Sequence, residues 1–587
     1  MTLTDELSAI VGAAFADEGL DPAFGLVKAS DRPDLAQFQC NGALAAAKGR
    51  SENPRALASK ISDRLKATGR FAKVETAGPG FINLDLADAV LAARLDALAA
   101  DERAGGWRRP NPEKIVIDYG GPNVAKPLHV GHLRAAIIGE ALKRLMRFVG
   151  DEVISDIHLG DWGLPMGQLI TELKRERPDL PFFDPDRTGS YPQHPVVSLE
   201  DLERLYPKAA AACKADPAKA EEARLATAEL QEGRPGYLAL WRQFVAVSRA
   251  AIEREYADLG VSFDWWKGEA DADPLVPEMA RAMRANGIVR ESDGAEIVDV
   301  ARDGDKKEIP PLILFKSDGS VLYGTTDLAT ILDRKRLVDP DRILYVVDQR
   351  QSLHFEQVFR AAGKAGIFEE NRLEHLGFGT MNGKDGKPFK TREGGVLKLR
   401  DLIDMVERRA RERLAESGFI EGFSEAEAED VAHKVGVAAL KFADLSNPRT
   451  SDYVFDLDRF MAFEGKTGPY LLYAVVRVRS VEAKAKDAGA GEAGPIIIAT
   501  PEERDLALSL LAFGDAVRAS YEKRMPHHLC DHAFRLAQSF SKFYAACRIA
   551  DEGEARIRAS RLTLAAAVAA QLDQALSILG LSAPQRM

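Results

Sequence analysis

The spacing of apolar positions divides the chain into stretches of different period. Over residues 7–15 and 54–65 apolar side chains recur at helical intervals. The second stretch leads into Phe71-Ala72-Lys73-Val74-Glu75, a Gly-Pro-Gly turn and Phe81-Ile82-Asn83-Leu84-Asp85-Leu86, which alternate like the arms of a hairpin. Residues 1–108 therefore read as a small α+β domain, with a linker over residues 107–112. Ile115-Val116-Ile117 reads as a buried parallel strand, and Gly120, Gly121 and Pro122 as its exit loop. Ile137, Ala141, Leu145, Phe148 and Val149 form one face of a helix that opens near His129, runs about five turns and stops at Gly150. After Ile170 the pattern becomes irregular, with a Pro/Asp-rich stretch at 178–195 and helical segments at 225–230 and 238–259. Residues 171–310 are read as an insertion between two halves of one sheet. The second half is expected to resume at Leu312-Ile313-Leu314-Phe315, and to continue with Ile343-Leu344-Tyr345-Val346-Val347 and a strand at 375–379. From Leu402 onward the chain turns all-helical. Ser424-x-x-Glu427 and Thr500-Pro501-x-Glu503 are its helix-start signatures, and residues 484–495 an Ala/Gly-rich connection. Three domains follow, at 1–108, 109–400 and 401–587.

Composition changes this picture little but removes several alternatives. A chain of 587 residues exceeds what one core organises, so several domains are the expectation. With 46% hydrophobic and 29% charged residues it has the balance of a globular protein. The acidic start, Met1-Thr2-Leu3-Thr4-Asp5-Glu6, carries no secretory pattern, and no apolar run is long enough to span a bilayer, so cytoplasmic residence is expected. Cys40, Cys213, Cys530 and Cys547 lie far apart with no Cys-x-x-Cys, which argues against a disulfide framework and a protein-bound zinc. The formal net charge of −11 speaks against indiscriminate nucleic-acid binding, so a large RNA partner requires a local basic face.

Candidate chemistry concentrates at Pro122-Asn123-Val124-Ala125-Lys126-Pro127-Leu128-His129-Val130-Gly131-His132. The strand, loop, helix order puts His129 and His132 on the first helical turn, three apart and on one face. Unpaired N–H groups and the positive dipole end make a helix start a phosphate site. Two imidazoles add donors, and Gly131 leaves room for a flat base. This reads as a candidate nucleotide site at the carboxyl end of the first strand of a doubly wound sheet. By the same rule Tyr323, Asp327 and Gln351, at the mouths of later strand-to-helix turns, become candidates for a small-ligand pocket. Residues 380–395, rich in glycine, lysine and arginine, read as a cationic loop.

His129-Val130-Gly131-His132 resembles the HIGH signature of class I aminoacyl-tRNA synthetases. Asp118-Tyr119, Pro122-Asn123-Val124-Ala125-Lys126 and His158-Leu159-Gly160-Asp161-Trp162-Gly163 around it are similar to arginyl-tRNA synthetases in particular. Lys387-Pro388-Phe389-Lys390-Thr391 resembles the degenerate KMSKS loop of that family, and Lys126 matches the lysine that supplies the cation this loop lacks. Asp34-Leu35-Ala36-Gln37-Phe38-Gln39-Cys40-Asn41 resembles its N-terminal domain, and Glu464-Gly465-Lys466-Thr467-Gly468-Pro469-Tyr470 its helical anticodon-binding domain. The pattern departs at Ala270-Asp271-Ala272-Asp273 and at Gln585, where Glu is commoner.

The resemblance implies an α/β architecture: a Rossmann-type parallel-sheet catalytic domain with an insertion, a small N-terminal α+β domain and an all-α C-terminal anticodon-binding domain. It implies ATP with Mg²⁺, L-arginine and tRNA(Arg) as substrates of a monomer. Arginyl-adenylate forms first, activation waits for bound tRNA, and the acceptor is the 2′-hydroxyl of the terminal ribose. Catalytic roles fall to His129, His132, Lys126, Lys387 and Lys390. Asp118 and Asp327 would fork the guanidinium, Tyr323 cover its plane, and Asn123 and Gln351 take the α-amino group. RNA contacts are expected at exposed Phe38, Gln39 and Asn41, and at Tyr470, Arg477 and Arg479. Rival readings are another class I synthetase, a small-molecule adenylate former, and a catalytically silent RNA-binding protein. A cysteinyl enzyme would want zinc-spaced cysteines, and a silent copy has no reason to keep His129, His132, Lys387 and Lys390 together.

Overall fold

The computed structural model describes residues 1–387, 389, 397–487 and 492–587. They form two compact units. One comprises Met1–Pro110, Ala410–Ser446 and Phe460–Met587, the other Asn111–Arg409 and Asn447–Arg459.

The second unit is built on a five-stranded, wholly parallel sheet. Its spatial order is Leu373–His375, Arg342–Val346, Lys114–Tyr119, Glu152–Leu159 and Trp265–Gly268. Ile115, Val116 and Ile117 are fully buried, as a strand covered on both faces requires, and each such side chain contributes about 1.5–3 kcal/mol. The first strand is central. The chain winds outward on one side through Glu152–Leu159 and Trp265–Gly268, then returns to its other side at Arg342–Val346. The two central strands, with Asp118 opposite Tyr345 and Tyr119 opposite Val346, therefore flank the topological switch point, where an open α/β sheet leaves a crevice. The helix Val130–Val149 lies so close to this sheet that a Cβ added at Gly139 would fall 2.2 Å from the Tyr119 ring, and it stops at Gly150 in the left-handed conformation.

Two expectations about this unit are corrected. Leu312–Phe315 does not restart the parallel sheet. It pairs antiparallel with Ala295–Val298 in a separate three-stranded sheet; the second half of the parallel sheet begins at Arg342–Val346, and the first half gains the unexpected edge strand Trp265–Gly268. That strand is only four residues long and mixes tryptophans with a lysine, so no apolar run marked it. Residues 447–459, expected in the helical domain, belong to the unit that holds the parallel sheet. Tyr453–Val454 pairs in parallel with Met381–Asn382, and Arg134 stacks over the Tyr453 ring at 5.1 Å.

The first unit joins an antiparallel sheet, in the order Val27–Ala29, Phe38–Cys40, Phe81–Leu86, Phe71–Ala77, to a set of C-terminal helices. The expected hairpin is there, with Ala77 opposite Phe81. Both helix-start signatures are reciprocal capping boxes, Ser424 with Glu427 and Thr500 with Glu503. Residues 107–109, read as linker, are held instead. The Trp107 ring lies 5.6 Å from Tyr521, whose hydroxyl accepts from Arg109 at 2.8 Å.

Candidate active site

His129 is the N-cap of the Val130–Val149 helix, and its own ring closes that end. Its Nδ1 accepts from the Gly131 N–H at 3.0 Å, and the His132 Nδ1 accepts from the His129 N–H at 3.1 Å. The Val130 N–H donates to the Leu397 carbonyl at 3.1 Å, and the His132 N–H to the His129 carbonyl at 2.8 Å. The expectation that bare first-turn amides make the phosphate site is thereby corrected, since these amides are already engaged. What the turn offers is a pair of imidazoles with ring centroids 4.0 Å apart. With each Nδ1 acting as acceptor, the proton sits on Nε2, which is free to donate. Both rings are neutral. Burial, His129 and the Lys126 ammonium hold His132 down to about 3, and burial followed by Lys126 lowers His129. Gly131 is required by His129 rather than by a base, because a Cβ there would lie 2.7 Å from the folded-back imidazole.

The loop before the histidines is stitched at both ends. The Val124 N–H donates to the Gly160 carbonyl at 2.9 Å and the Gly160 N–H to Pro122 at 3.1 Å, which places Asn123 opposite Gly160. Ala125 adopts the left-handed region at φ 64°, a strained conformation for a residue with a Cβ, and its N–H is held by the Ser248 hydroxyl at 3.0 Å. Val124, Leu128 and Val130 are buried, so within the motif they pack. Pro122 is also buried and Pro127 half-buried. Lys126 is the ammonium beside the histidines, half-buried, with Nζ 4.9 Å over the Tyr206 ring. Lys387 is exposed, and Lys390 lies outside the described residues. Downstream of that loop, Leu397 to Leu399 return antiparallel to the motif: the Leu399 N–H donates to Leu128 at 2.9 Å, and Lys398 stands opposite His129.

Carboxylates gather beside this motif. Asp327, on the first turn and a half of the helix Tyr323–Val338, has Oδ2 2.5 Å from His354 Nε2. Glu269 follows the last residue of the edge strand and accepts from the Trp162 N–H at 3.3 Å. Burial, offset in part by His158 and reinforced by Asp327, raises its carboxyl. Asp161, 4% exposed, accepts from the Ala270 N–H at 3.1 Å. Burial, with Glu269 and Asp271 adding to it, pushes Asp161 up to about 7. Tyr323 has 70% of its surface exposed, and burial of its hydroxyl, Glu269, Tyr206 and Asp327 raise it. The same set of mutual interactions therefore links Lys126 and the histidines, through Tyr206, to Tyr323, Asp327 and Glu269. Asn123 is half-buried, and Gln351 is exposed at the end of the turn Gln349–Gln351.

Asp118 does not join the ligand-facing carboxylates. It is 8% exposed, and its Oδ2 takes the Arg334 guanidinium at 2.5 Å, with Asp156 on the same group at 2.7 Å. An internal arginine already fills the fork expected of a substrate. Sequence reasoning missed Arg334, Tyr206 and His354, and passed over Glu269 even though the strand-end rule applies to it. The Asp271 carboxylate, in the stretch that departs from the family pattern, accepts from the Gly268 N–H at 2.9 Å and caps a helical turn.

The expected RNA contacts divide. Phe38 is 7% exposed and packed in its strand opposite Leu84, so it is not presented to bases, a correction that follows from its inward place in the alternation. Gln39 donates to Asn83 at 2.9 Å, and Asn41 is exposed. Tyr470 sits edge-on to Phe534 at 5.6 Å and Arg477 over the Tyr544 ring at 5.7 Å. Arg479 is committed to Asp573 at 2.6 Å.

Comparison with known proteins follows the same division. Residues 94–457 match the family model for the catalytic domain of class I tRNA synthetases (R), residues 471–587 the DALR anticodon binding domain, and residues 1–86 the arginyl tRNA synthetase N-terminal domain. Arginine–tRNA ligases of Maricaulis maris and Hyphomonas neptunium are 55% and 54% identical to the chain, each alignment covering 100% of both chains. The fold is shared with the arginyl-tRNA synthetase of Plasmodium falciparum, at a TM-score of 0.82 and 22% identity over 100% of this chain and 99% of that one. It is shared with that of Thermus thermophilus at 0.79 and 22%, over 100% of both. A catalytic model matching most of the chain and full-length relatives alike at more than half of their positions establish that this chain belongs to the arginyl-tRNA synthetase family.

Proposed function

We infer that the chain is an arginine–tRNA ligase: it activates L-arginine with MgATP and passes the arginyl group to the 3′-terminal ribose of tRNA(Arg). The observation that carries this reading is the carboxylate group of Glu269, Asp327 and Asp161 assembled beside Lys126 and two neutral histidines. Glu269 and Asp161, raised by burial and by neighbouring carboxylates, are relieved by a cation, and a guanidinium is a cation that carboxylates can grip in a fork. In the first step an arginine carboxylate oxygen bonds to the α-phosphorus while the bond to the β-phosphate oxygen breaks and pyrophosphate leaves. In the second, a ribose hydroxyl attacks the carbonyl carbon and AMP leaves. No protein nucleophile is needed. His129 and His132 donate from Nε2 to phosphate oxygens, Lys126 adds positive charge, and Mg²⁺ arrives with the polyphosphate. Lys387 and Lys390 are proposed for the leaving pyrophosphate. Tyr323 would lie against the guanidinium, with Asn123 and Gln351 on the α-amino group. The tRNA would meet the N-terminal domain near Asn41 and the helical domain near Tyr470 and Arg477. We take the enzyme to be a monomer, which light scattering of the purified chain checks. Among the described residues no helix is long and apolar enough to cross a membrane.

Charging assays with purified chain, ATP, tRNA and each amino acid in turn test the reading. Transfer of arginine alone supports it, transfer of another amino acid redirects the specificity, and no transfer leaves an RNA-binding protein. The pH dependence carries a further expectation. Protonation of Asp161 removes a negative charge beside Glu269 and Asp271, which weakens attraction for arginine. KM for arginine is therefore expected to rise as pH falls through about 7, while KM for ATP changes less. Equal shifts in both constants would sink the acidic-pocket account.

A further inference from the structure

The helices inserted between Glu152–Leu159 and Trp265–Gly268 reach the loop before the histidines with specific side chains. On the helix Leu199–Ala215, Leu202 and Leu205 are fully buried and fix its position, while Glu203 and Tyr206, three apart, share another face. The Tyr206 ring lies under the Lys126 ammonium at 4.9 Å. Glu203 takes the Lys398 ammonium at 2.7 Å, and Lys398 is the residue paired across from His129. A second insertion helix, Pro235–Asp258, supplies Ser248 to the N–H of left-handed Ala125, directly before Lys126. One residue of a strained loop is thus braced by its backbone and the next by its side chain.

We propose that Tyr206 is a positioning residue for the activation step, holding the Lys126 ammonium over its ring face in register with the ATP phosphates. The proposal rests on the ligase reading above. A lysine on four rotatable carbons gives up much conformational freedom to act at one point, and a ring face beneath its ammonium meets that cost in advance. The Glu203–Lys398 pair is half-exposed and contributes less, as an alignment of the segment opposite His129.

The test is arginine-dependent ATP–pyrophosphate exchange by the full chain with tRNA present. Tyr206→Leu, which keeps apolar bulk and removes the ring, is expected to lower kcat about tenfold with KM for arginine unchanged. Tyr206→Phe, which keeps the ring face, should retain activity within about twofold. Lys126→Met should be impaired, and Tyr206→Leu added to it should cost nothing more. Undiminished exchange by Tyr206→Leu, full additivity with Lys126→Met, or equal damage by Tyr206→Phe would each overturn the proposal. Should Tyr206→Leu lower the melting temperature, Tyr206→Gln carries the same expectations without adding apolar surface. Exchange by the unaltered chain with an amino acid other than arginine would fail the ligase reading instead, and the Tyr206 comparison can then be run with that amino acid.

Discussion

Replacing His129 by Asn is expected to lower the rate of adenylate formation by about 10²–10³-fold while leaving the melting temperature unchanged or higher. The two halves of that expectation come from two atoms of one ring. Nδ1 accepts from the Gly131 N–H and closes the helix start. Asparagine is among the strongest N-cap residues and can take over that bond. In the proposed mechanism Nε2 carries the proton donated to a phosphate oxygen, and the shorter asparagine cannot present a donor there. Because the neutral ring gains nothing from charge, its value lies in being aligned before the reaction, and it is felt most when negative charge builds on the α-phosphate. Single-turnover formation of arginyl-adenylate, followed beside thermal melting, checks both halves. A variant that loses stability in proportion to rate would mean that His129 matters as a cap alone.

Asp327→Asn is the second large effect. The substitution keeps the shape and an oxygen for His354 but removes the charge, so it isolates electrostatics from geometry. Truncating one member of a desolvated charge pair costs about 2–5 kcal/mol, which is about 30- to 4,000-fold in kcat/KM for arginine. KM for ATP should stay where it is. Citrulline, which carries a urea in place of the guanidinium, offers an internal control, because discrimination between it and arginine should narrow in the variant by a similar factor. An unchanged KM for arginine would move the selecting charge to Glu269. Asp118, by contrast, should not be substituted to probe substrate binding, since removing it leaves the buried Arg334 to Asp156 alone and destabilises the sheet before it touches arginine.

Residues 115–150 were legible as sequence because strand burial, glycine exit and helical period agree within a short span. The capping boxes at Ser424 and Thr500 were legible because both partners lie three residues apart. Trp265–Gly268 was not, being short and without alternation, while the apolar run Leu312–Phe315 reads as a sheet strand yet pairs with Ala295–Val298 instead. Phe38 was misread for a related reason: a lone aromatic in a three-residue strand gives no face until the pairing with Leu84 assigns one.

The sequence by itself determined the family, the strand, loop, helix unit and the residue types of the site, because these rest on local spacing. Tertiary structure decided how those residues are used. It closed the helix start with the histidine rings, gave the Asp118 fork to Arg334, brought Tyr206 from the insertion under Lys126, and set Glu269 beside Asp327. The reason is common to all four. Each depends on groups far apart in the chain whose charge, protonation or orientation is set by burial and by a neighbour, and no local period records who that neighbour is.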